Sequence, residues 1–166
     1  DIAVKFSLTG HLVFSTVHAN DATSTITRLL DLGIAPFLLG TSLNLVMAQR
    51  LVRTVDKDNM EEYKPNSQEL QKINMSNSEA SKIKFNKGKR ITSNHNTGYK
   101  GRTAIHEILE INSSMRQLIF ENKNQNEIKE LAIKNGMTTL RDAGIEKIKT
   151  GITTIDEVIR ATVEDI

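Results

Sequence analysis

An α/β architecture is the fold class the sequence predicts, and three observations carry it. The first 55 residues read in the order strand, helix, helix, strand. Of those 55 residues 28 are apolar, against 10 of the 45 in residues 56–100, so a core-forming segment gives way to a polar one. After Gly101 the apolar positions recur at helical spacing. A chain of 166 residues can bury roughly two-thirds of its unfolded surface, which suffices for one solid core.

Each element has its own signal. Ile2, Ala3 and Phe6 have helical spacing, and Gly10 stops that turn. The chain opens as if inside a helix, without an initiator Met, and this suggests a piece of something longer. "LVFSTV", residues 12–17, is β-branched and apolar on both faces, as expected of a buried strand in a parallel sheet. Asn20 and Asp21 suit the cap of a helix in "ATSTITRLLDL", which ends at Gly33. Pro36 suits the first turn of "PFLLGTSLN", and "LVMAQRLVRTV" alternates as a strand. Residues 56–96, rich in Asn, Ser and Lys, cannot make a core alone and read as an elaborated or partly disordered excursion. "GYKGRTAIHEILEI" is a Gly-flanked strand candidate. Helices follow in "SSMRQLIFENK", "QNEIKELAIKNG", "LRDAGIEKIKTG" and "TIDEVIRATVE", the last opened by a capping box of Thr154 with Glu157. The expected division is therefore 1–55, 56–96 and 97–166, the last a strand with a helical bundle.

Composition excludes several classes of function. Net charge is +2, with 22 basic and 20 acidic residues, which argues against a dedicated nucleic-acid binder. The absence of Cys rules out disulfides and thiolate zinc sites. No stretch reads as a signal peptide or a membrane span, so a soluble intracellular setting is expected. Between Lys82 and Arg102 there are seven basic residues and no acidic one. That stretch is either a solvated face or a contact for anionic headgroups or an acidic protein surface. Its Tyr99 is no stacking platform for nucleic acid.

Two of the four histidines bracket the first strand candidate, in "TGHLVFSTVHANDA". An extended chain at about 3.3 Å per residue sets His11 and His18 roughly 20 Å apart, too far to share one metal ion. No G-x-S-x-G elbow accompanies them. In parallel α/β sheets ligands sit outside the carboxyl ends of the strands. His18 stands just past that end and His11 at the opposite one. An imidazole at position 18 could hydrogen-bond a phosphate or a water, or satisfy the backbone of its own turn. Gln49 and Arg50 face opposite ways on an alternating strand, so at most one points into a given cleft. Arg50 could serve a phosphate, a neighbouring subunit or an interlayer salt bridge. His106 reads as a half-buried ring with a polar tip. Met115, Leu118 and Ile119 read as core of the helical part, or as a docking surface for a partner.

"LTGHLVFSTVHANDATSTITRLLDLGIAPFLLGTSLNLVMAQRLVR" resembles the segment following the Walker B motif in the secretion ATPases of type II secretion and type IV pilus assembly. "TGYKGRTAIHEILEI" and "GMTTLRDAGIEKIKTGITTIDEVIRAT" are similar to that family's C-terminal region, and together these stretches span about three-quarters of the chain. "MRQLIFENK" resembles a diverged helix motif of related retraction motors. The resemblance implies the C-terminal half of a RecA-like P-loop NTPase core with a mostly helical C-terminal subdomain. It implies a cytoplasmic hexamer, peripheral to the inner membrane, that hydrolyses ATP with Mg²⁺ and works against inner-membrane platform proteins. His18 would sense the γ-phosphate, His11 would be its companion in the histidine box, and Arg50 and Gln49 would face nucleotide or a subunit interface.

The sequence departs from that pattern twice. No G-x-x-x-x-G-K-[ST] loop or acidic Mg²⁺-ordering strand is present. The family carries both just upstream of this segment, so the resemblance implies a C-terminal fragment of a motor, inactive as an ATPase by itself. A non-catalytic scaffold or regulatory module of the same fold is the alternative. Many relatives carry a four-cysteine zinc lobe between "AQRLVR" and "TGYKGR". Here Ile91 and Asn94 stand where the second cysteine pair would fall, so no zinc is expected.

Overall fold

The computed structural model describes residues 2–162. Asp1 and the end of the expected last helix, Val163 and Glu164, lie outside them. The chain divides into two compact units, Asp1–Ala48 with Glu107–Thr139 and Gln49–His106 with Leu140–Ile166.

The first unit begins with helix α1 (Ile2–Leu8), then α2 (Ala22–Asp31) and α3 (Pro36–Ser42). Asp21 caps α2 and Pro36 fills the first position of α3, as the sequence predicts. Strand β1 (Leu45–Val55) starts here. In the second unit, β2 (Met60–Tyr63), α4 (Ser67–Lys72), α5 (Asn77–Ala80) and β3 (Phe85–Gly88) follow. The long strand β4 (Tyr99–Glu110) then returns the chain to the first unit, which ends with α6 (Ser113–Phe120) and α7 (Gln125–Lys134). Helices α8 (Leu140–Lys149) and α9 (Ile155–Ala161) belong to the second unit.

Strands β1 and β4 form one two-stranded sheet and β2 and β3 another. Ile111 N–H donates to Asn44 O at 3.0 Å and Asp56 N–H to Gly98 O at 3.1 Å, which makes β1 and β4 antiparallel. The second pair is antiparallel too, with Met60 opposite Gly88. Inward positions alternate along β4 as Ile105, Glu107 and Leu109.

The first unit packs Ile26, Leu39, Leu109, Met115, Ile119 and Ile128 into one core. Met115 and Ile119 are thus core residues, as their spacing allows, and each such side chain contributes about 1.5–3 kcal/mol when buried. In the second unit Leu70, Ile73 and Phe85 share a core with Ile148, Ile155 and Val158. The polar segment 56–96 is therefore ordered on apolar surface lent by α8 and α9. The four C-terminal helices do not share one core: α6 and α7 pack in the first unit, α8 and α9 in the second.

One expected element is absent. Residues 11–19 form neither helix nor strand, and Leu12 and Phe14 are 79% and 88% exposed. A strand apolar on both faces needs neighbours on both edges and both faces. Among the described residues none pairs with it, and no parallel sheet is present.

Candidate functional site: the histidine segment and the corner that holds it

The segment that begins at His11 ends in a tightly bonded corner. Asp21 Oδ1 accepts the Ser24 N–H at 2.6 Å, while the Asp21 N–H donates to Ser24 Oγ at 3.1 Å. This is a reciprocal capping box at the start of α2. The next amide, Ala22 N–H, donates to Glu107 Oε1 at 2.8 Å, reaching across to β4. Lys129 Nζ stands 3.9 Å from Asp21 Oδ2. Asp21 and Glu107 are both buried, and the positive end of the helix dipole offsets part of their desolvation. These amides are already satisfied, so the start of α2 is not an open anion-binding terminus.

Against that fixed corner His18 is exposed, and it has no hydrogen-bond partner among the described residues. It does not serve the backbone of its own turn, and both ring nitrogens are available to a ligand. The strand-end topology that pointed to His18 is not formed among the described residues, so the position rests on the chain leading into Asp21.

His11 has a local role. Its Nδ1 lies 3.0 Å from Thr9 Oγ1, whose own proton goes to Phe6 O at 2.8 Å, so the imidazole is the donor. Its ring meets Phe6 edge-on at 5.8 Å between centroids. No hydrogen bond or ring contact joins His11 to His18 among the described residues.

Gln49 and Arg50 lie on opposite faces of β1, the first exposed and the second half-buried. Gln49 Oε1 accepts from His106 Nε2 at 3.2 Å across the β1–β4 ladder. His106 is exposed, not half-buried as its place in the sequence suggests. The inward parity of β4 belongs to its neighbours Ile105 and Glu107.

Two polar nodes in the second unit, around Asp56 and Glu157, bring together residues that the sequence did not connect. Asp56, buried, accepts from Asn94 Nδ2 at 2.9 Å and Asn59 Nδ2 at 3.1 Å. These bonds, that from Asn94 foremost, hold its carboxyl below the ordinary value. Asn94 also donates to Lys89 O at 2.8 Å, and its Oδ1 accepts Ile91 N–H at 3.1 Å and Gly98 N–H at 3.2 Å. A hydrogen-bonded knot thus closes the excursion at a position where relatives were expected to carry a thiolate. Among the described residues no three His, Cys, Asp or Glu side chains converge on a metal position.

The second node is Glu157, 1% exposed on α9. It accepts Arg53 N–H at 2.9 Å and Arg53 Nη2 at 2.5 Å, with Arg160 Nε and Nη2 at 3.1 and 2.8 Å. Burial pushes its carboxyl up, but the two guanidinium groups and the backbone amide outweigh that and hold it at about 2. Thr154 does cap α9, accepting Glu157 N–H at 3.4 Å. The Glu157 carboxylate goes to the arginines, so the expected capping box is only half made. Arg53 also lies over the Tyr99 ring, 4.2 Å from its centroid.

The fold is of the α/β class with a mostly helical subdomain. The crystal structure of the pilus retraction motor PilT with bound ADP matches it with a TM-score of 0.63 at 21% identity, over 99% of this chain and 36% of that one. The chain belongs to the Type II/IV secretion system protein family, whose profile matches residues 1–160.

Relatives cover nearly all of it. The type IV pilus assembly ATPase PilB of Thermus thermophilus is 43% identical over 98% of this chain and 18% of its own length. The type II secretion system protein E of Xanthomonas campestris is 41% identical over 97% and 28%. The type II secretion system ATPase E of Vibrio cholerae is 42% identical over 98% and 32%. This chain therefore spans between 18% and 32% of the length of these relatives.

Proposed function

We propose that this chain is the C-terminal part of a hexameric motor that hydrolyses ATP, with Mg²⁺, to power type II secretion or type IV pilus assembly. The observation that carries the reading is identity of about 40% to proteins named as such ATPases over nearly the whole chain. In this reading His18 donates a hydrogen bond to the γ-phosphate and reports its presence. His11 supports the start of the same segment. Arg50 and Gln49 face nucleotide or a neighbouring subunit. The motor works in the cytoplasm against inner-membrane platform proteins, and the exposed lysines of residues 82–100 add an anionic-lipid contact. No nucleic acid is a partner.

The chemistry asked of this chain is limited. His18 supplies one directional donor at a site where charge grows on the phosphate in the transition state. Backbone amides that cradle the β-phosphate, and carboxylates that order Mg²⁺, are not among its motifs; the metal screens phosphate charge when bound. The test is His18→Ala in the full-length protein. ATP turnover is expected to fall on the order of 10²-fold, the usual effect of losing one such donor, with nucleotide binding retained. Unchanged turnover overturns the role of His18.

A scaffold or regulatory module of the same fold is the alternative reading. A full-length protein that binds its partners and hydrolyses no ATP would establish it.

A further inference from the structure

Glu107 is a carboxylate at 0% exposure in the middle of an otherwise apolar strand face, between Ile105 and Leu109. Burying a carboxylate costs several kcal/mol unless it is bonded, so a position like this needs a compensating role. It takes the Ala22 N–H, the first amide of α2, from 85 residues away. Asp21 already caps this helix through Ser24. A second carboxylate is not required for helix stability, because one capping side chain provides the usual stabilisation. What Glu107 adds is a fixed position for the corner relative to β4. His18 is three residues before Asp21, so its place follows that of the corner.

We propose that Glu107 is a positioning residue: it pins the first turn of α2 to β4 and thereby sets where the His18 imidazole stands. The proposal deepens the functional reading above and rests on it for the consequence in turnover, though not for the pin itself. Glu107 touches no reacting atom in this scheme. It acts through Ala22, Asp21 and the backbone between Asp21 and His18.

Two substitutions remove the same bond from opposite sides. Glu107→Leu deletes the acceptor and keeps the volume. Ala22→Pro deletes the donor at the first helix position, after an extended Asp21 with φ −140° and ψ 179°; Ala22 is fully buried, so the ring also displaces the Glu107 carboxylate. Both are made in the full-length protein, alone and together, with His18→Ala alongside. Two readouts are taken: the imidazole resonance of His18 in protein labelled at histidine, and kcat and KM for ATP. The expected result is the same displacement of the His18 resonance in both single variants. A fall in kcat of roughly tenfold, with a smaller change in KM, should deepen in the double variant by less than the product of the single losses. Glu107→Gln keeps an acceptor and should restore most of the resonance position. If one of the two fails to fold, the other carries the test.

A His18 resonance unmoved in either folded variant overturns the pin. A double variant that shows the full product of the two kcat losses overturns it as well, because the share of each loss that runs through the Ala22–Glu107 bond can be lost only once. If His18→Ala leaves turnover intact, the phosphate role falls by itself and the resonance still decides the pin.

Discussion

The side-chain amide of Asn94 donates to Asp56 Oδ2 at 2.9 Å and joins two tight turns that are 38 residues apart in the chain. Each turn is closed by its own backbone bond, Asn59 N–H to Asp56 O and Asn94 N–H to Ile91 O, both at 3.1 Å. Asn94 uses both ends of its amide, so its orientation is set by two acceptors and two donors. Asn94→Ala should destabilise the protein by about 1–3 kcal/mol, because Gly98 N–H is buried and loses its acceptor. Asn94→Asp should be worse, since it brings a second carboxylate against Asp56. Thermal unfolding of the two variants beside the parent protein gives the ranking, and the opposite order would show that the knot is not closed through this amide.

The same knot bears on metal. The positions that close the excursion are an Asp and two Asn engaged with one another, so purified protein should carry no stoichiometric zinc. Elemental analysis decides this, and chelation should leave the melting temperature where it was. A drop on chelation would reveal a site that the hydrogen bonds do not account for.

Glu157 makes a prediction in pH. Its carboxyl falls from an unperturbed 4.5 to about 2 in the folded protein. A lowered carboxyl pKa stabilises the fold above the unfolded value, and that stabilisation fades as pH drops through the folded value. The contribution is on the order of 3 kcal/mol at neutral pH and should disappear between about pH 4.5 and pH 2. Glu157→Gln should remove most of that acid-range slope and leave two arginines short of a charge. Equilibrium unfolding followed from pH 7 to 2 measures it. A slope unchanged by the substitution would place the acid sensitivity elsewhere.

What was legible in the sequence follows the range of the interactions. Caps and turns are local, and Asp21, Pro36 and Thr154 sit where their neighbours predict. Strand parity was legible as well, since Ile105, Glu107 and Leu109 share a face by spacing alone. That parity puts Glu107 inside and His106 outside. Asn94, Arg53 and Ala22, which reach Asp56, Glu157 and Glu107, lie 38, 104 and 85 residues from them, and no local pattern announces these pairs. The strand expected at residues 12–17 fails for a related reason. Its composition states what it wants on every side, and a strand exists only where neighbours complete the ladder.

Two close approaches separate a cheap glycine from a costly one. A Cβ on Gly40 would press into the Phe120 ring, which is 40% exposed and stands at the end of α6, where it can swing toward solvent. Gly40→Ala in α3 should therefore be close to neutral, with the helix preference for Ala, about 1 kcal/mol, offsetting the displacement. Gly98 has φ +79°, and its Cβ would run into the backbone carbonyl of Gly88. Neither group can yield without parting the ends of the excursion, and the left-handed conformation adds its own cost. Gly98→Ala should cost several times more than Gly40→Ala, on the order of 2–4 kcal/mol. Chemical denaturation of the pair under one set of conditions tests the contrast. Equal losses would mean that the Gly88–Gly98 approach relaxes as freely as an exposed aromatic ring.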